Sequence, residues 1–253
     1  MLCEDCGYRL DGLAAQLACS ECGTPIARSL PAARPGSPWQ QRPSPRSFFS
    51  TAWLTLRRPG ATLRTIAIDP ASTRSLLHLH IALAAIGCTL AFESVAFLGH
   101  RWEWIVPGSV WTDLLAVLDE ARPWQRAGFA LILTWPALYA LTAIEARGLS
   151  FFGTRRGWRT TGPVAWTVCA HAAVGWALAG LLAVLGAAAW SVFTLFPSLL
   201  GPRWTFSLRW LAWALPMAGA MTGFMIFESL AYLGALRCKF ANPPGAGVPP
   251  ASA

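Results

Sequence analysis

Long apolar stretches with few polar interruptions dominate this chain from residue 76 onward, at about 76–99, 127–144, 164–190 and 210–236. Each is close to or above the ~20 residues that an α-helix needs to cross a bilayer. The pattern predicts a mainly α fold: a small N-terminal module (1–27), a linker (28–46) and a membrane domain (47–240) built as a helical bundle. The third run is the ambiguous one, because apolar character continues from 164 to 200. A hairpin inside it would make five spans. No polar turn residue falls between Ala177 and Ala189, which favours one helix and four spans. Ala172, Ala173, Gly175, Ala179, Gly180 and Ala183 would let this helix approach its neighbours closely. Pro136, inside the second run, predicts a kink.

Shorter elements frame the spans. Phe48, Phe49, Ala52, Trp53 and Leu56 share one face of a helix over 47–56, and Arg57 and Arg58 follow. An aromatic face beside arginines suits either the membrane surface or packing against the bundle. Asp69-Pro70 reads as an N-cap and first helical residue. Val110, Trp111, Leu114, Leu115, Val117 and Leu118 form one face of an interfacial helix between the first two spans. Residues 28–46 alternate prolines with Arg28, Arg34, Arg42 and Arg46 and predict an extended, disordered basic linker. The Pro/Gly/Ala-rich tail 241–253 predicts disorder as well.

Composition agrees with a membrane protein: 55% of residues are hydrophobic and 13% charged, against about one quarter charged in soluble domains. Arginine placement gives an orientation. Nine arginines precede residue 76, and Arg147, Arg155, Arg156 and Arg159 fill the second loop, whereas the first loop carries Glu103, Asp113, Asp119 and Glu120. The positive-inside rule puts the N-terminus and second loop in the cytoplasm, and four spans return the C-terminus there. Trp102, Trp104, Trp111, Trp124, Trp190, Trp204, Trp210 and Trp213 would form an outer aromatic belt.

The N-terminus carries the sharpest chemistry. Cys3-Glu-Asp-Cys6-Gly7 and Cys19-Ser-Glu-Cys22-Gly23 are two CxxCG knuckles separated by twelve residues. Two such turns can aim four thiolates at one ion, the geometry of structural zinc (Zn2+). Paired disulfides or free thiols are the alternative. With four sulfur ligands no position is open for a catalytic water. Tyr8, Leu10, Leu13, Leu17 and Ile26 are the candidate core of this ribbon. Zinc thiolates suit a reducing compartment. The module is acidic, with Glu4, Asp5, Asp11 and Glu21 against Arg9. The net charge of +8 is therefore no sign of nucleic-acid binding, which needs a basic patch on the binding module. A protein partner fits better. Cys88, Cys169 and Cys238 read as small core residues.

Three ionisable residues interrupt the spans: Glu93, His171 and Glu228. Such residues are expensive in a bilayer and are functional candidates. His171 and Glu228 lie at similar depth and could meet as a hydrogen-bonded pair, either structural or serving a proton or substrate. Glu93, nearer the outer end, would reach toward water. His78 and His80, two apart, do not share a helix face and read as surface residues. The segment 92–99 (FESVAFLG) matches 227–234 (FESLAYLG) at six of eight positions, an echo of the inverted repeats of transporters, or of two helix ends packing alike.

The pattern CxxCGYxLxGL…CxECG from Cys3 to Gly23 resembles the zinc-ribbon leaders of bacterial multi-pass membrane proteins. Residues 56–63 (LRRPGATL) and the later Ala/Gly-rich spans resemble the Yip (Ypt-interacting protein) type of membrane domain. That second resemblance implies membrane organisation rather than catalysis. The sequence has no HExxH, phosphate loop or G-x-S-x-G. The expectation is a non-enzymatic protein of the bacterial inner membrane, with the bilayer and a protein as partners and a cytoplasmic zinc ribbon as an interaction or assembly module. The alternative is a small transporter or channel using Glu93, His171 and Glu228.

Overall fold

The computed structural model describes residues 1–14, 16–100, 122–195 and 211–243. These residues are mostly helical and contain no β-strand. Four helices are long and apolar enough to cross a membrane: Pro70–Ala96, Pro123–Arg155, Gly162–Val192 and Leu211–Arg237. The expected interfacial helix near residue 110 and the belt positions Trp102, Trp104, Trp111, Trp204 and Trp210 lie outside the described residues.

In chain order the helices are α1 (Pro38–Gln41), α2 (Pro45–Arg57), α3 (Pro59–Thr65), α4 (Pro70–His100), α5 (Pro123–Arg155), α6 (Gly162–Ala172), α7 (Val174–Leu195) and α8 (Leu211–Arg237). Asp69 caps α4 as expected, accepting the amides of Ala71 (3.1 Å) and Ser72 (3.2 Å). The third apolar run is not a hairpin. It is the pair α6–α7, broken only at Ala173, which keeps helical angles (φ −61°, ψ −7°). Helix α5 continues through Pro136, and α8 contains Pro216.

The chain divides into two compact units. One comprises Met1–Leu79, Ala140–Val174 and Ile226–Ala253; the other comprises His80–Tyr139 and Gly175–Met225. In the second unit, small residues set the packing. A Cβ on Gly180 would stand 2.7 Å from the Ala84 carbonyl oxygen, and one on Gly223 would stand 2.3 Å from the Ala179 amide nitrogen. Backbones this close leave room for hydrogen alone. Ala183, Ala187 and Trp190 pack with Ala91, Val95 and Ala212 into one core. Trp190 is therefore buried and is no part of a belt, whereas Trp124 and Trp213 are exposed.

In the first unit, residues 28–46 are not an extended linker. Pro31, Pro38 and Pro45 each sit at the start of a helical turn, where proline's fixed φ favours helix and its missing amide costs nothing. Ser37 and Ser44 complete capping boxes with Gln40 and Ser47. The Gln40 side chain donates to the Ala67 carbonyl (2.7 Å) and accepts the Ala67 amide (3.1 Å). Trp39 is buried, and its indole donates to the Ser72 carbonyl at 3.1 Å. The segment is a strap held against the start of α4. Its signal was the Ser-Pro-x-Gln capping pattern, hidden among prolines that suggest an open chain.

Helix α2 has two distinct faces. Phe48, Thr51 and Thr55 are buried; Phe49 (68% exposed) and Trp53 (59%) are not, and the Arg57 guanidinium lies 5.6 Å from the Trp53 ring centre. Replacing Gly223 by Val should force α7 and α8 apart and lower stability by about 1–3 kcal/mol. Thermal unfolding in detergent would show this as a reduced Tm, while Gly128→Val, at a glycine with open space around it, should change little.

Candidate metal centre

The ribbon is built from one motif used twice at an offset of sixteen residues. Cys3 donates its amide to the Tyr8 carbonyl and Gly7 to Cys3; Cys19 donates to Thr24 and Gly23 to Cys19. Leu2 bridges to Arg9 as Ala18 bridges to Pro25. Gly7 (φ 81°) and Gly23 (φ 70°) supply the left-handed backbone that closes each knuckle. Leu10 and Ile26, at matching positions, are buried with Cys3 and Cys19, and Met1 and Leu13 pack onto them. Tyr8 and Leu17 are exposed, so the ribbon core is smaller than the apolar residues suggested.

The four sulfurs converge. Cys3 Sγ lies 3.5 Å from Cys22 Sγ, Cys6 Sγ lies 3.7 Å from Cys19 Sγ, and all four fall within 4.8 Å of one another. A tetrahedral ion at 2.3 Å from each sulfur would separate them by about 3.8 Å, so the cluster can hold a metal ion. All seven cysteines are free of disulfides. Burying Leu10 and Ile26 contributes roughly 2 kcal/mol each, too little to order the segment, whereas four-thiolate zinc supplies on the order of 10 kcal/mol. An ion of this kind would therefore decide whether the ribbon folds. Within the cluster the Thr24 hydroxyl and amide pull the Cys22 thiol down to about 6, while loss of water around the packed sulfurs pushes Cys6 up to about 12. A metal ion takes thiolates, so loading it displaces the protons that the sulfurs still carry.

The two knuckles differ in what they touch. The first is bonded to the segment that follows α8. The Leu2 amide donates to Asn242 Oδ1 (3.0 Å), and Asn242 Nδ2 donates to the carbonyls of Leu2 (2.8 Å) and Ser29 (2.9 Å). A Cβ on Gly7 would stand 2.7 Å from the Phe240 ring. Glu4, between two of the cysteines, receives Arg34 at 2.9 Å and the Asn242 amide at 3.2 Å. Arg34 is buried, and it also donates to the Ile66 carbonyl (3.3 Å) and the Cys238 sulfur (3.7 Å). The Cys238 thiol donates in turn to the Leu63 carbonyl at 3.2 Å. Ala241 and Asn242 are buried, so order extends into the predicted disordered tail; residues 244–253 lie outside the described residues. Among the described residues, no comparable bond to the segment after α8 holds the second knuckle. Thr24 donates to Asp5 (2.8 Å), and Cys22 and Glu21 are exposed.

The intramembrane polar residues are placed differently from expectation. His171 does not pair with Glu228. Its Nδ1 lies 2.9 Å from the Thr167 carbonyl, which can only accept, so Nδ1 carries the proton. In the neutral ring Nε2 then accepts from the Ser37 hydroxyl at 3.0 Å. The strap, not the fourth span, satisfies this histidine. Glu93 pairs with Arg126 at 3.2 Å instead of reaching for water. Glu228 is half-buried. His80 is buried, not a surface residue. Sequence reasoning missed Arg34, Ser37 and Asn242, whose roles depend on partners far along the chain.

Fold and cluster together define the class: a helical bundle of membrane-spanning type with an N-terminal four-cysteine cluster able to hold a metal ion. No protein-family model, characterised protein or solved structure matches the chain, so the likeness to Yip-type domains finds no support there.

Replacing Arg34 by Ala should cost about 3–5 kcal/mol, because it strands the Glu4 carboxylate in a largely buried site; pairing it with Glu4→Gln should recover part of the loss in thermal unfolding. Stripping metal with a chelator should speed hydrogen exchange at the Asn242 amide along with the ribbon amides, and leave α7 amides unchanged. Metal affinity should fall on acidification and fall more steeply below about pH 6, where Cys22 is protonated as well; a competition titration with a chromophoric chelator measures this.

Proposed function

We propose that this chain is a non-enzymatic integral membrane protein whose ribbon holds structural zinc and serves as an assembly module. The observation that carries the reading is the asymmetry of the knuckles: the first is bound to its own chain and the second is open. Zinc is the ion that a four-sulfur tetrahedral set favours, with no redox chemistry and no vacant ligand position. Bonding of Leu2 to Asn242 favours a topology with these two residues on one side of the membrane, and so an even number of crossings between them. That supports four spans over five. The basic residues around the ribbon favour the cytoplasmic face of a bacterial inner membrane. On the open knuckle, exposed Leu17 and Glu21 offer a mixed apolar and acidic surface to a protein partner.

The local partners of His171 and Glu93 favour structural roles over the transporter reading, in which these side chains would have to exchange protons or ligands. In-cell cross-linking followed by pull-down should show the same partners for wild type and Glu228→Gln. Glu21→Lys with Leu17→Ser, which alters the open knuckle without touching a ligand, should lose them. Partners retained by that double variant at wild-type levels would sink the reading.

A further inference from the structure

The end of α5 is built with more care than a loop between two spans needs. Trp158 donates its amide to the Gly153 carbonyl (2.9 Å) and Gly157 to Thr154 (3.0 Å), with Gly157 at φ 74°. These two bonds form a Schellman cap, which turns the chain back over the helix end. The turn is anchored again two residues on, where the Arg159 amide donates to the Lys239 carbonyl at 2.7 Å.

On this rigid turn, cations are pinned to ring faces. The Arg155 guanidinium lies 4.6 Å from the Phe151 ring centre, Arg156 lies 5.4 Å from Trp158, and the Lys239 ammonium lies 5.2 Å from Phe240. All are within the ~6 Å at which a ring attracts a cation. Arg159 adds a fourth charge. No acidic residue occurs in 147–159 or 229–243. Glu145 and Glu228 lie nine or ten residues inside their helices, roughly 14–15 Å away along the axis. Glu4, in the ribbon, is engaged by Arg34. The four cations therefore have no internal counter-charge among these segments.

The apolar side of the same turn is open. Phe151 is 53% and Phe152 62% exposed, and they continue a line of exposed side chains up α5 through Ile144 and Leu141. A free phosphate would use only the cations, and nucleic acid would gain nothing from the aliphatic line. The ligand that uses both has an anionic head and a hydrocarbon tail.

We infer that the α5 cap, through Phe151, Arg155, Arg156, Trp158, Arg159 and Lys239, is a headgroup site for an anionic phospholipid. The phosphate lies among the four cations, and the acyl chains run along Phe151, Ile144 and Leu141. The site selects the lipid beside the helix and fixes the depth at which α5 leaves the membrane.

The test uses the full metal-loaded chain purified in detergent and titrated with dioleoyl phosphatidylglycerol or dioleoyl phosphatidylcholine. Retained lipid is counted by native mass spectrometry and Tm is followed in parallel. Wild type should retain phosphatidylglycerol in preference to phosphatidylcholine and gain Tm from it alone. Arg155→Gln with Arg156→Gln should weaken that retention about fivefold per arginine, with metal content and helical circular dichroism unchanged. Lys239→Gln, outside the helix, should weaken it about fivefold and guards against a folding defect in the double variant. Inorganic phosphate should not displace the lipid. Equal retention of the two lipids by wild type, undiminished retention by the variants, or displacement by inorganic phosphate would each overturn the inference.

Discussion

The buried ion pair between Glu4 and Arg34 is the interaction on which the membrane-proximal part of this protein turns. Its carboxylate comes from a residue between two cysteines of the four-sulfur cluster, and its guanidinium comes from the strap. Neither charge could be left there alone, because an unpaired buried charge costs several kcal/mol. The remaining donors of Arg34 reach the Ile66 carbonyl and Cys238, and the remaining capacity of Glu4 takes the Asn242 amide. One pair thus ties together the ribbon, the strap, the entry to the first span and the exit from the last. A metal ion held by the four cysteines would also fix the position of Glu4, and through it the rest of the junction.

The two knuckles show how identical local geometry can serve different ends. Both close with the same hydrogen bonds and the same left-handed glycine. The first meets Phe240, Asn242 and Arg34, while the second faces outward. A ribbon anchored on one side differs from a module swinging on a flexible tether. It presents its open face at a fixed place relative to its own unit.

Within the helices, polar groups are satisfied by near partners rather than by each other. His171 is buried, and both ring nitrogens are used by Thr167 and Ser37. Glu93 has Arg126. Both arrangements follow from the cost of leaving a hydrogen-bonding group without a partner in a low-dielectric setting. Equal depth in two spans did not bring His171 to Glu228, because depth fixes only the coordinate along the helix axis. Azimuth decides which neighbour a side chain meets, and a pre-membrane segment can reach that depth too.

Much of this molecule is legible in its sequence. The CxxCG spacing fixes the four-sulfur cluster through local backbone geometry, and the apolar runs fix four helices through length alone. Asp69-Pro70 announces its helix start because a cap needs only its own neighbours. What could not be read locally is whatever depends on contacts distant along the chain. Prolines 31, 38 and 45 looked like an open linker, since a proline reads alike in an extended chain and at a first helical turn. The burial of Trp39 and the bonds of Gln40 to Ala67 decide between the two. Phe49 and Trp53 parted from Phe48 because the buried face of α2 runs through Phe48, Thr51 and Thr55. The sequence by itself determined which segments are helices and which atoms can hold a metal, because both follow from periodicity and spacing. Only the tertiary structure decided that Glu4 meets Arg34, that Ser37 meets His171 and that Asn242 clasps the ribbon. Each of those pairings joins residues 30 to 240 positions apart, and no local rule carries that far.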